Sequence, residues 1–131
     1  MNQRKINPWK WQDQFAFSQG IEVSNASRVL YCAGQASVDD TGKPVHVGDM
    51  RKQIEQAFRN LEAVLQASGF GLANVVRLNY YTTDVEGFLG ASDVVGARLG
   101  AAACQPSGTL LGVTKLAFPG LMIEMEATAA K

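Results

Sequence analysis

The segment GLMIEMEATA, residues 120–129, sorts its side chains into two rows. Leu121, Ile123, Met125 and Ala127 form one row, and Met122, Glu124, Glu126 and Thr128 form the other. A period of two is the signature of a strand whose successive residues face opposite sides of a sheet. The wholly apolar row must be covered by another layer of the same chain. The mixed row needs no such cover, and a partly apolar sheet face is a natural place for copies of a chain to associate.

The covering layer is legible further upstream. Within residues 48–71 (GDMRKQIEQAFRNLEAVLQASGFG), Met50, Ile54, Ala57, Phe58, Leu61, Val64 and Leu65 recur at steps of three and four, the spacing of an amphipathic helix. Asp49 is placed to cap its start, and Gly69 to take the left-handed conformation that ends it. A second helix is expected over residues 84–103, with Asp84 as cap and Phe88, Leu89, Val95 and Leu99 facing inward. Its glycines Gly87, Gly90, Gly96 and Gly100 each cost about 1 kcal/mol relative to alanine, so packing must hold it together.

The remaining strands follow from β-branched and aromatic runs. GIEV (20–23) and RVLYCAG (28–34), separated by the polar SNAS, read as a hairpin. NVVRLNYYTTD (74–84) reads as a third strand with Arg77, Asn79, Tyr81 and Thr83 on one face and Val76, Leu78, Tyr80 and Thr82 on the other. SGTLLGVTKL (107–116) reads as a fourth, joined to the last by a turn at AFPG. The expectation is an α+β fold, one sheet with two helices on one face, in a single domain over residues 1–131 with residues 1–14 as an N-terminal arm.

Composition excludes several classes of function. Twelve basic and twelve acidic side chains cancel, so no summed field draws the chain onto nucleic acid. No apolar run is long enough to cross a bilayer, and MNQRKINPWKWQDQF lacks the apolar core of a secretion signal, which leads us to expect a cytoplasmic protein with no membrane partner. Cys32 and Cys104 are far apart and in apolar surroundings, as reduced, buried thiols would be. His46, the single histidine, has no companion at ligand spacing and reads as a loop residue. Trp9 and Trp11 either cover a ligand or pack the arm onto the core.

Glu124 is the most informative candidate for chemistry. Flanked by Ile123 and Met125, it could position or deprotonate a water. The alternative is a structural carboxylate paired with Arg77 or capped by backbone donors, and Glu126 shares the ambiguity.

The order of elements, together with FSQG, LYCAGQ, QIEQAFRNLEAVLQASG, VVRLNYYTTDVEGF, QPSGTLLGV and IEMEATA, resembles the Rid family, the YjgF-like reactive-intermediate deaminases also described as endoribonuclease L-PSP-like. The similarity runs from Phe17 to Ala129. It implies a chorismate-mutase-like fold assembled as a homotrimer, with ligand pockets between neighbouring subunits. It also implies hydrolysis of 2-imino acids and enamines without metal or organic cofactor. In the active deaminases an arginine stands at the position of Gly108 and grips the substrate carboxylate with two hydrogen bonds.

The same comparison places Leu110 where a cysteine is frequent, Phe17 at a tyrosine, Ala33 at a serine and Ser92 at an asparagine. Thr109 completes the candidate substrate-binding set, and only Glu124 matches the glutamate that positions water. Gly108 then reads as the emptied anchor of a carboxylate pocket, against the alternative that glycine permits a bulge or a close backbone approach. Neither Arg77 nor Lys115 replaces the missing cation.

The expected function is a small-molecule pocket between subunits that takes an uncharged or apolar metabolite, using Glu124 for any chemistry, rather than a 2-imino acid deaminase. The alternatives are a deaminase with a rebuilt anchor and a non-catalytic regulatory trimer. A nuclease is disfavoured by the neutral charge.

Overall fold

The computed structural model describes residues 1–131. Its main sheet has five strands: β3 (Val29–Tyr31), β4 (Gln35–Ala36), β5 (Val75–Thr82), β6 (Leu110–Gly112) and β7 (Ile123–Ala130). They run in the order β3-β7-β5-β6, with β4 also pairing β7. Only the β5–β6 pair is parallel. The apolar row of β7 is buried, with Ile123 and Met125 at 0% exposure, while Glu124, Glu126 and Thr128 stay partly open.

The cover is α1 (Met50–Ala67), whose stripe Ile54, Ala57, Phe58, Leu61 and Leu65 is fully buried. Asp49 accepts the Lys52 N–H, and Gly69 takes φ +75°, so both ends are closed as their residue types dictate. Two polar side chains of α1 clip it to the sheet. The Gln53 Nε2 donates to Gly120 O (2.8 Å) and its Oε1 accepts from Met122 N–H, while Asn60 Nδ2 donates to the carbonyls of Ala36 and Val38.

The expected second helix is two: α2 (Val85–Gly90), capped by Asp84, and α3 (Ser92–Ala101), with Ala91 non-helical between them. The glycine-weakened helix gives way at Ala91, and Phe88 and Ala91 are both buried in the core. Leu89, expected inward, is 52% exposed. Arg98 holds α3 to α1, bonding Glu55 at 3.0 and 2.8 Å and Glu62 at 2.5 Å.

The expected hairpin does not form. A strand β1 (Asn2–Ile6) in the arm takes up β2 (Gly20–Ser24) antiparallel, and β3 pairs instead with the end of β7, where Ser27 and Arg28 N–H both donate to Lys131 O. All five residues of β1 are exposed, so the strand carries no burial pattern that a sequence could display. In β5 the expected faces hold from Arg77 onward. A bulge between Val75 and Arg77 reverses them before that, so Val75 rather than Val76 is buried. The fourth strand is shorter than expected, reaching back to Arg77 only through an isolated bridge at Ser107.

Candidate functional site

A cavity of about 520 Å³ opens between the arm, the α2–α3 pair and the β5–β6 edge. Its far wall is Leu78 and Tyr80, which β-alternation turns toward the helices, and its side walls are Phe88, Leu89, Ser92 and Val95. Segment 14–17 closes the third side. It is held there by Ser18, whose N–H donates to Pro106 O (3.0 Å) and whose hydroxyl donates to Gln105 O (2.7 Å). Phe15 and Phe17 of this wall make an aromatic cluster with Trp11 behind them, the Trp11 ring 5.6 Å from Phe17 and 6.4 Å from Phe15.

Phe17, Ser92, Gly108, Thr109 and Leu110, expected from sequence to be substrate-binding, all border this cavity. Ala33 and Glu124 do not. Glu124 lies on the row of β7 that faces away from the helices, its carboxylate folded over Gly34, where it has no ion-pair partner. The expected alternative, pairing with Arg77 or backbone donors, is therefore not what Glu124 uses.

Glu126 carries that structural role. Its Oε1 accepts from the Tyr81 hydroxyl (2.5 Å) and Asn79 Nδ2 (3.2 Å). These bonds, with Arg77 nearby, hold its carboxyl below the usual glutamate range, and the same bond pushes the Tyr81 phenol up. Arg77 itself reaches Thr109 Oγ1 (3.4 Å) on this outer face, and Asn79 Oδ1 accepts the Thr109 N–H. Arg77 thus stands beside the Gly108 segment but across the sheet from the cavity.

Gly108 has a local structural cause. A Cβ built there would lie 1.9 Å from the carbonyl oxygen of Leu78. The strand lead-in approaches β5 this closely only without a side chain, which is the close-approach alternative rather than a merely vacated position. An arginine could not be placed here on the present backbone.

No arginine, lysine or histidine lines the cavity, and its one charged residue, Asp93, is taken up by Arg51 in a two-pronged pair at 2.9 and 2.6 Å. Cys32 and Cys104 are free and buried, and burial pushes the Cys104 thiol up to about 11, which leaves it protonated and inert. His46 sits in an exposed turn at φ +59°, and no three His, Cys, Asp or Glu side chains converge on a metal position. Trp9 and Trp11 remain 59% and 53% exposed; neither borders the cavity, and Trp11 touches it only through Phe15 and Phe17.

Tyr80, Phe88 and Val95 are cavity residues that the sequence does not single out. All three sit on inward rows, and an inward row reads as core unless something shows that the core is open there.

A single α+β layer with a helix-side cavity and an uncovered sheet face is the fold of YjgF-type proteins. The family model for endoribonuclease L-PSP matches residues 12–131, and the chain belongs to this family, also known as YjgF/Rid. A RutC family protein of Pyrococcus horikoshii is 30% identical over 115 residues, 88% of this chain and 86% of the relative. A 2-iminobutanoate/2-iminopropanoate deaminase of Dermatophagoides farinae is 30% identical over 79 residues, 60% of this chain and 59% of its own. The crystal structure of a Rid-family protein of unknown function from Yersinia pestis, YyfB, matches at TM-score 0.88 and 34% identity over 100% of both chains. No helix is long and apolar enough to cross a membrane.

Proposed function

We propose that this chain forms a homotrimer whose helix-side cavities, each completed by a neighbour's uncovered sheet face, bind a small uncharged or largely apolar molecule. The observation that carries this reading is the cavity wall. Phenyl rings and aliphatic side chains dominate it, and it offers no cation to a carboxylate. Burying a carboxylate without a partner costs several kcal/mol, so a 2-imino acid is a poor occupant.

The need for a neighbour follows from placement. The cavity residues and Glu124 lie on opposite sides of one sheet, so Glu124 can act on a molecule in a cavity only if that cavity belongs to another copy. In such an assembly Glu124, with no partner inside its own chain, would be the group that positions a water or takes a substrate proton. Ala33, exposed beside Gly34, would accompany it.

A second reading, an imine deaminase with a rebuilt anchor, draws on the deaminase relative and on Arg77, whose guanidinium has no carboxylate within ion-pair distance. Ligand-observed NMR with acetophenone and benzoate separates the two. The uncharged reading expects acetophenone to bind in the millimolar range or tighter and benzoate to bind at least tenfold more weakly. Preferential benzoate binding would mean that the assembled site holds a cation and would favour the deaminase.

A further inference from the structure

Tyr80 brings a polar atom to the far wall of the cavity, which Leu78 otherwise makes apolar. Its ring packs on Phe88, with centroids 5.2 Å apart, and against the main core. Leu78 and Leu110 flank it, Leu110 as its partner across the parallel β5–β6 pair. The residue is only partly buried and borders the cavity.

No side chain or carbonyl in the chain bonds this hydroxyl. Burial, rather than any hydrogen bond, is what pushes the phenol's ionisation well above its ordinary value, so the group is a neutral O–H at any working pH. A phenol so placed normally finds a partner. The buried polar side chains nearby in this layer do have one: Thr82 donates to Met122 O at 2.7 Å, and Gln53 makes three bonds.

Resting on the reading of the cavity as an uncharged-ligand site, we propose that the Tyr80 hydroxyl is the pocket's polar anchor. It would donate a hydrogen bond to a single carbonyl or ether-type oxygen on a small molecule whose apolar body lies against Phe17, Phe88 and Leu110. This sets the ligand class: a compact neutral molecule with one acceptor, held by one directional bond and otherwise by apolar contact. Tyr80 is then the residue that selects for an acceptor in a site that selects against charge. A neutral hydrogen bond of this kind changes affinity by about five- to tenfold.

The test uses two probes of the same apolar shape, acetophenone and ethylbenzene, on the full chain and on Tyr80→Phe, with dissociation constants from NMR titration. Removing the hydroxyl should weaken acetophenone about five- to tenfold while leaving ethylbenzene unchanged or slightly tighter, since the phenyl ring still packs on Phe88. Unchanged acetophenone affinity, or equal weakening of both probes, overturns the anchor. If neither probe binds the unaltered protein, the cavity reading itself is wrong, and the anchor fails with it.

Discussion

At the scale of single residues, Gly108 and Glu126 carry the sharpest consequences. Gly108→Ala forces a methyl group into the Leu78 carbonyl, so the strand lead-in must shift, and we expect a loss of about 1–3 kcal/mol in urea unfolding. Unchanged stability would mean that the close approach is not needed. Glu126 makes a different prediction because its carboxyl is held low by Tyr81 and Asn79. A carboxyl whose folded value lies below its unfolded one contributes stability that is complete above the ordinary glutamate range, and that contribution is lost as pH falls through the lowered folded value. Stability measured from pH 6 to pH 3 should therefore fall more steeply for the unaltered protein than for Glu126→Gln. Strand alternation alone leaves Glu124 and Glu126 as equivalents, since it gives both the same face. What separates them is which one lies opposite Asn79 and takes the Tyr81 hydroxyl from one position along, and that depends on register between strands far apart in the chain.

At the scale of elements, legibility tracks burial. The α1 helix announces itself because its stripe is fully buried and its caps are local chemistry, and β7 does so because its two rows differ so strongly. The arm strand β1 is invisible, since five exposed polar-leaning residues have no face to reveal, and without it β2 is matched to the wrong partner. The second helix falls where its apolar residues place it but is broken, because glycine lowers helical preference without saying where the chain will bend. That weakness is also an opportunity. Gly100 in α3 has open space where a methyl group would go and no left-handed φ, so Gly100→Ala should stabilise the protein by about 0.5–1 kcal/mol in the same unfolding measurement. Destabilisation would indicate that the α3 surface is covered in the assembled protein.

At the scale of the whole molecule, Phe17, Ser92, Gly108, Thr109 and Leu110 border one cavity, whereas Ala33 and Glu124 lie outside it, on the far side of the sheet where only a second copy could bring them to a cavity. Sedimentation equilibrium should then give three times the 14.1 kDa of one chain, and a monomer at micromolar concentration would leave Glu124 with nothing to act on. A cavity without a cation should not serve a 2-imino acid, and imine hydrolysis tests this most directly: an amino-acid oxidase generates 2-iminopropanoate in the presence of semicarbazide, and the purified protein competes for it. We predict trapping at the rate of the protein-free control. A decline in trapping with added protein, abolished by Glu124→Gln, would contradict the account and identify a deaminase whose carboxylate anchor has been rebuilt elsewhere in the assembly.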